Sequence, residues 1–184
     1  KDKNCLEIIN LIFPQLKNIS IFNKLNSFAK ENISKVDFIF LLSLMIIDQS
    51  DNVNYFIYKF NISKKDQKRL LFLDNFNSQK ITSKIFAEKN LDKILYFNGR
   101  ETLLDIIYFR IFTSNRADTK LIKLIEIFKN KKIPIMPIKA DTLMETYNIS
   151  EGKELGVKLK EIEKTWINNN FSISNEEVKK IMGN

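Results

Sequence analysis

The 184-residue sequence contains no histidine and a single cysteine, Cys5. Without histidine the chain lacks the side chain that most often acts as a general base near neutral pH. It also cannot form a Ser-His or Cys-His nucleophile pair. One cysteine excludes a disulfide framework and, in the absence of histidine, leaves no soft-ligand metal site. These absences fit a protein of a reducing compartment, and we expect a cytoplasmic one.

Known catalytic motifs are missing as well. The sequence has no D-x-D pair for two-metal nucleotidyl transfer, no G-x-x-x-x-G-K and no G-x-S-x-G. We interpret Asp48 as the end of one helix and Asp51 as the cap of the next, while Glu161 and Glu163 fit a solvated helix face. We therefore predict no catalytic residue, no metal ligand and no cofactor site in this chain, and we expect it to be inactive alone.

The basic residues are mostly lysine, with 26 Lys and 4 Arg and a net charge of +8. An AT-rich coding bias produces the same composition, so a generally lysine-coated surface is one interpretation. A surface that faces RNA or phosphate is the other, because lysines that neutralise phosphates release counterions. The most apolar run, "FIFLLSLMII" at 38–47, is far shorter than the roughly 20 residues of a membrane helix. It predicts a buried core helix and no membrane contact.

Apolar residues recur at spacings of three and four along nearly the whole chain, which predicts an all-α fold. Short connections favour antiparallel helical hairpins in residues 1–131, the helical body. Pro134 and Pro137 interrupt this pattern, so residues 132–184 are predicted to form a small helical tail unit. The predicted body helices are one ending before Pro14 and those at 20–31, 35–47, after Asp51, after Ser63, 81–89, 91–97, 100–113 and 116–131. The predicted tail helices are 142–147, 151–169 and one from 175, and the predicted caps are Asp51, Ser63, Asn115, Ser150 and a Ser174–Glu177 capping box.

Only four glycines occur in the sequence, and two of them lie in "ISEGKELG", at 152 and 156. A glycine inside a helix costs about 1 kcal/mol relative to alanine. If Ser150 caps this helix, the free N–H groups near Gly152 and Lys153 form a phosphate site, and glycine lets an RNA backbone approach closely. Close contact with the 142–147 helix is the alternative explanation. Trp166, on the same helix, is predicted to pack in the core with Phe171.

The segment "IPIMPIKADTLMETYNISEGKELGVKLKEIEKTWINNNFSIS" resembles the C-terminal tail of bacterial class II CCA-adding tRNA nucleotidyltransferases and their poly(A) polymerase relatives. That family has a proline-flanked basic segment, G-x-D-L, a short helix, G-x-x-x-G, and a helix with W-I and a Phe. The matching positions here are Pro137, Lys139, Asp141, Leu143, Gly152, Gly156, Leu159, Trp166, Ile167 and Phe171. Ala140 and the pair Tyr147-Asn148 depart from the family's glycine and leucine-glycine. Upstream, "LIFPQL" and "FIYKFNISKKDQKRLLFL" are similar to the family's segment after the neck and to a helix pair of its body.

This resemblance implies a non-catalytic body and tail that hold the acceptor stem and T-arm of tRNA, largely through phosphates and 2′-hydroxyls. The family's catalytic head, with its metal-binding carboxylates, and its E-D-x-x-R neck motif have no counterpart in this sequence. We expect either a fragment of a longer enzyme or the second half of a split one. Mg²⁺ and CTP or ATP are implied for the head, which acts in cis or in trans. The expected RNA-binding residues are Lys139, Asp141, Gly152, Lys153, Gly156 and Lys158.

Two other function classes compete with this interpretation. One is a helical protein–protein interaction module, which an exposed apolar patch and evenly scattered lysines would favour. The other is a self-standing enzyme, which would require nucleotide incorporation by this chain alone.

Overall fold

The computed structural model describes residues 3–79 and 83–183, and within these residues it contains helices and no strand. The prediction of an all-α fold is confirmed. The α-helices are α1 (Lys3–Ile12), α2 (Ser27–Asn32), α3 (Phe38–Ile46), α4 (Asn52–Phe60), α5 (Lys64–Ser78), α6 (Glu88–Phe112), α7 (Thr119–Asn130), α8 (Ala140–Tyr147), α9 (Lys153–Asn168) and α10 (Asn175–Met182). Short 3-10 helices occupy Ile19–Asn23, Ile33–Lys35 and Ser83–Phe86. None of the helices in the described part of the chain combines the length and hydrophobicity needed to span a bilayer.

The chain divides into two compact units, Lys1–Lys131 and Lys132–Asn184. We call them the body unit and the tail unit. Each unit has its own hydrophobic core.

The apolar helix α3 lies at the centre of the body unit, where it packs against α4, α5 and α6. Phe40 of α3 contacts Phe112 of α6 edge to face, with ring centroids 5.2 Å apart. A second core lies between α6 and α7. These two helices are antiparallel, because α7 starts shortly after α6 ends and its far end returns to the start of α6. There Nζ of Lys131, just beyond α7, lies 2.6 Å from Oδ1 of Asp92.

An ion cluster, made of a buried Arg69–Asp105 pair and the exposed Asp37, joins three helices of the body unit. Arg69 of α5 donates two hydrogen bonds to Asp105 of α6, with Nη2 2.7 Å from Oδ1 and Nε bonded to Oδ2. Its Nη2 also lies 2.7 Å from Oδ2 of Asp37, the residue that caps α3. Burial opposes the charge of Arg69, but the hydrogen bonds and charges of Asp105 and Asp37 raise the pKa of Arg69. Burial raises the pKa of Asp105 to about 6, against the lowering effect of Arg69.

The predicted helix at 20–31 is wrong. A 3-10 helix covers Ile19–Asn23, and α2 begins only at Ser27. The cause is Asn26, whose Oδ1 accepts a hydrogen bond from the N–H of Ala29 and caps α2. Its amide nitrogen donates to the carbonyls of Ile111 and Ser114, at 2.7 and 2.9 Å, and ties this cap to the end of α6.

The start of α7 also differs from the prediction. The helix begins at Thr119, and its cap is Asp118, not Asn115, because Oδ1 of Asp118 accepts a hydrogen bond from the N–H of Lys120 at 2.8 Å. Asp51 does precede α4, but its side chain makes no capping hydrogen bond. The Ser63 cap is confirmed, since its hydroxyl accepts from the N–H of Asp66.

The helices predicted at 91–97 and 100–113 are the two parts of α6, which is broken at Gly99, between them, by a non-helical backbone with φ 80° and ψ 172°. We call the part from Arg100 onward α6C. The prediction of a helix at 81–89 falls partly outside the described residues. The rest of that stretch forms the 3-10 helix Ser83–Phe86 and the first residues of α6.

The tail unit packs α8, α9 and α10 around Leu143, Leu155, Ile162 and Val178. The predicted packing of Trp166 is confirmed, because its side chain is buried and meets Phe171 edge to face with centroids 4.9 Å apart. The capping box of α10 is confirmed too. Ser174 Oγ accepts from the N–H of Glu177, whose carboxylate accepts from the N–H of Ser174.

We expect Arg69→Met to lower the free energy of unfolding of the body unit by about 3–5 kcal/mol at pH 7, because it leaves Asp105 buried without its partner. Since Arg69 lowers the pKa of Asp105, its loss raises that pKa further, and the folded state then takes up a proton more readily. The deficit should therefore shrink as the pH falls toward 5. Urea unfolding followed by circular dichroism at both pH values measures it. The double variant R69M/D105L is the control and should recover most of the loss, and an R69M deficit that does not change with pH would contradict this account.

Candidate nucleic-acid interface

The segment that connects α8 to α9 carries the glycine predicted to face RNA. After α8, Asn148 adopts a left-handed conformation with φ 52°, and α9 begins at Lys153. The N-cap of α9 is Gly152, not Ser150 as predicted. The reason is conformational, since the chain enters the helix through a Gly152 backbone with φ 157° and ψ −164°, a region open essentially to glycine alone.

The N-terminal end of α9 is open to a ligand. No side chain in the described part of the structure caps it. The N–H of Gly156 makes the first bond along the helix, to the carbonyl of Gly152 at 3.1 Å. The N–H groups of the preceding turn therefore lie at the positive end of the helix macrodipole, where anions are stabilised.

Close packing does not explain Gly152 or Gly156. Apart from its chain neighbours and the nearby backbone of α9, a Cβ atom placed on either residue would have no heavy atom of the described residues within 4 Å. Contact with α8, the alternative weighed from the sequence, is therefore not the reason for either glycine. Gly152 has a conformational reason. Gly156 is an ordinary helical residue that leaves an open strip of α9, and no contact in the described part of the chain compensates for its cost.

A shallow groove of about 490 Å³ lies at this helix end. Lys153 lines it together with two exposed carboxylates, Glu151 and Glu154. The ionisable side chains of the groove are thus one cation and two anions. Its anion-binding capacity comes from main-chain N–H groups and Lys153, while the carboxylates are suited to accept hydrogen bonds from hydroxyl groups.

The structure separates the other predicted RNA-binding residues from this groove. Lys139 is the N-cap of α8 and Asp141 lies in its first turn, both exposed. Because eight residues of helix span about 12 Å, they lie at the end of α8 away from Gly152. Lys158 is half-buried, and its Nζ donates a hydrogen bond of 2.5 Å to the carbonyl of Ile181 near the end of α10. Its ammonium group thus holds α10.

A second basic surface, in the body unit, was not identified from the sequence. It is a cleft of about 690 Å³, which we call the basic cleft, and the residues that define it are Lys64, Lys65, Lys68, Arg69, Phe97 and Arg100. The sequence does hold a sign of it, because "SKKDQKRLLF" and "NGRE" each place basic residues at the start of a helix. That the two starts meet is a property of the tertiary structure. Among the described residues, no group of three or more His, Cys, Asp and Glu side chains is placed to hold a metal ion.

Comparison with known proteins does not assign this chain to a family. No protein-family model matches the sequence, and no curated protein matches it. Its function is therefore inferred from its residues, their geometry and the resemblance of its C-terminal segment.

Alanine at the two glycines should change the stability of the tail unit in opposite directions. Gly152→Ala forces a side chain into the glycine-only region and should destabilise the unit by about 1–3 kcal/mol. Gly156→Ala should stabilise it by up to about 1 kcal/mol, because alanine is the better helix former and meets no neighbour. Trp166 is the only tryptophan and is buried in this unit, so its fluorescence during urea unfolding reports the tail alone. A loss of stability in G156A would mean that the added methyl group meets neighbouring atoms, which would contradict the open strip on α9.

Proposed function

We propose that this chain is the non-catalytic, tRNA-binding body and tail region of a CCA-adding tRNA nucleotidyltransferase or of a poly(A) polymerase relative. The observation that carries the proposal is Gly156. It leaves an open strip on α9 at a cost to the helix, one turn from the uncapped N-terminus at Gly152, and no contact among the described residues requires a glycine there. An RNA backbone lying against α9 would explain the glycine, because a side chain at this position would obstruct it.

Binding at this surface uses the backbone of the RNA and not its base edges. The main-chain N–H groups of the first turn of α9 and the ammonium of Lys153 donate to phosphate oxygens. The carboxylates of Glu151 and Glu154 accept hydrogen bonds from 2′-hydroxyl groups, which distinguish RNA from DNA. This combination fits recognition of a folded RNA helix by its shape. Lys139 and Asp141, at the other end of α8, extend the contact along the RNA.

The proposed role of the chain is placement of the acceptor stem and T-arm for addition of nucleotides at the 3′ end. The addition itself belongs to a head domain, in cis or in trans, which uses Mg²⁺ with CTP or ATP. The whole assembly works in the cytoplasm.

A tRNA minihelix binding assay tests the proposal through the same alanine variant. Gly156→Ala should fold at least as stably as the wild type, yet bind the minihelix about tenfold more weakly, because its methyl group obstructs the RNA backbone; tenfold corresponds to about 1.4 kcal/mol. Lys153→Ala should also weaken binding and should reduce its salt dependence. The matched control is Lys160→Ala, an exposed lysine on α9 outside the groove. Minihelix binding that is unchanged in G156A, with K153A no different from K160A, would overturn the proposal.

A protein–protein contact is the second candidate function, and the surface of α1 favours it. Leu11 is 82% exposed, and Ile8 and Ile12 of the same helix are each more than half exposed. Such a run of exposed apolar side chains on one helix is typical of a surface that receives another protein. Wild-type affinity for RNA in an α1 variant, Leu11→Ser with Ile8→Ser, would separate this surface from the RNA-binding one.

A further inference from the structure

The first turns of two helices meet at the basic cleft of the body unit. Helix α5 begins at Lys64, and α6C begins at Arg100, directly after the positive φ of Gly99. Residues from both first turns line the cleft. Each N-terminus brings a partial positive charge, and the two add to the field of the basic side chains around them.

Not every basic side chain of the cleft is available to a ligand. Arg69 is paired with Asp105 and Asp37, and Lys65 lies 2.7 Å from the carboxylate of Glu101, which also lines the cleft. In contrast, Lys64 and Lys68 are exposed and form no ion pair with any of the residues that the structure describes. These two lysines are one helical turn apart on α5, so both ammonium groups face the same strip of the cleft.

Arg100 adds a guanidinium group to the lining of the basic cleft. Its Nη2 donates a hydrogen bond of 2.6 Å to the carbonyl of Lys131, which fixes the guanidinium group. Its Nε is buried, and among the described residues no acceptor reaches it. Because Nε is buried, Arg100 offers a phosphate in the cleft the positive charge of its fixed guanidinium group.

An aromatic side chain lies on the rim beside these cations. Phe97 is 63% exposed, although it lines the cleft, and Tyr96 supports its ring edge to face with centroids 5.1 Å apart. Exposed aromatic rings next to a positively charged groove are the features with which proteins bind single-stranded nucleic acid, whose bases stack on the ring while the cations hold the phosphates. An acidic peptide would use the cations and leave Phe97 without a role.

We propose that the basic cleft binds single-stranded RNA, with phosphates on Lys64, Lys68 and Arg100 and a base stacked on Phe97. The cleft lies wholly within the body unit and shares no residue with the groove of the tail unit. Only the choice of RNA over DNA rests on the proposed function. The volume of about 690 Å³ is within the range of ligand sites and suits nucleotides of one strand better than a duplex.

Fluorescence anisotropy with a labelled short oligoadenylate and the full chain tests the site. The double variant K64A/K68A should lower affinity at least about tenfold, and the slope of log affinity against log salt should fall by about 1.4 because two phosphate contacts to a single strand are lost. The control K120A/K123A removes two exposed lysines of α7 and should leave the slope near that of the wild type. Phe97→Ala should weaken binding about tenfold with the slope unchanged, and Phe97→Tyr should retain binding.

Several outcomes would overturn the proposal. One is equal loss of binding in K64A/K68A and K120A/K123A, and another is an F97A variant that binds like the wild type. Competition by polyglutamate as strong as that by oligoadenylate would assign the cleft to acidic peptides, and equal binding of the DNA counterpart would contradict the assignment to RNA. The cleft is judged by oligoadenylate binding of K64A/K68A against K120A/K123A, whereas the groove is judged by minihelix binding of G156A and K153A against K160A. Failure of the cleft therefore leaves the minihelix result, and the proposed function, to be judged separately.

Discussion

The ion cluster of Arg69, Asp105 and Asp37 is the constraint on which the geometry of the body unit depends. It ties α5 to α6 and both helices to the cap of α3, the central helix. A buried charge is tolerated only with good partners, so the guanidinium group fixes how the helices lie against one another. This arrangement brings the start of α5 beside the start of α6C. The basic cleft is thus a consequence of the same contact that organises the core. The charge of Arg69 is neutralised by Asp105 and Asp37 and does not contribute to ligand binding in the cleft.

The sequence predicted those features of the fold whose cause lies within a few residues along the chain. Helix type followed the apolar spacing, and the caps at Ser63 and Ser174 were found because their partners are three residues away. The break before α2 was missed because the amide of Asn26 bonds to Ile111, 85 residues further along the chain. No pattern within one helix contains that bond to α6, although the cap itself, from Asn26 to the N–H of Ala29, spans only three residues.

The candidate site divides in the same way. Gly152 and Gly156 stood out in the sequence because glycine is scarce, but the structure gives them different reasons, a backbone conformation for one and an open helix face for the other. Lys158 shared their helix and was expected to share their role. Its ammonium group instead holds the carbonyl of Ile181, 23 residues away, and that contact could not be deduced from spacing.

The groove of the tail unit and the basic cleft repeat one local arrangement. In each, a glycine with positive φ precedes a basic residue that opens a helix, Gly152 before Lys153 and Gly99 before Arg100. They differ in what surrounds that helix start. The groove has carboxylates and one lysine, so main-chain N–H groups supply most of its contacts to phosphate. The cleft has two lysines that form no ion pair with the described residues, and their phosphate contacts weaken steeply as salt rises. A chain with both surfaces would therefore divide RNA binding into two tasks. The lysines of the cleft attract any RNA strand and supply affinity, whereas the groove fits the backbone and its 2′-hydroxyls and selects a folded RNA.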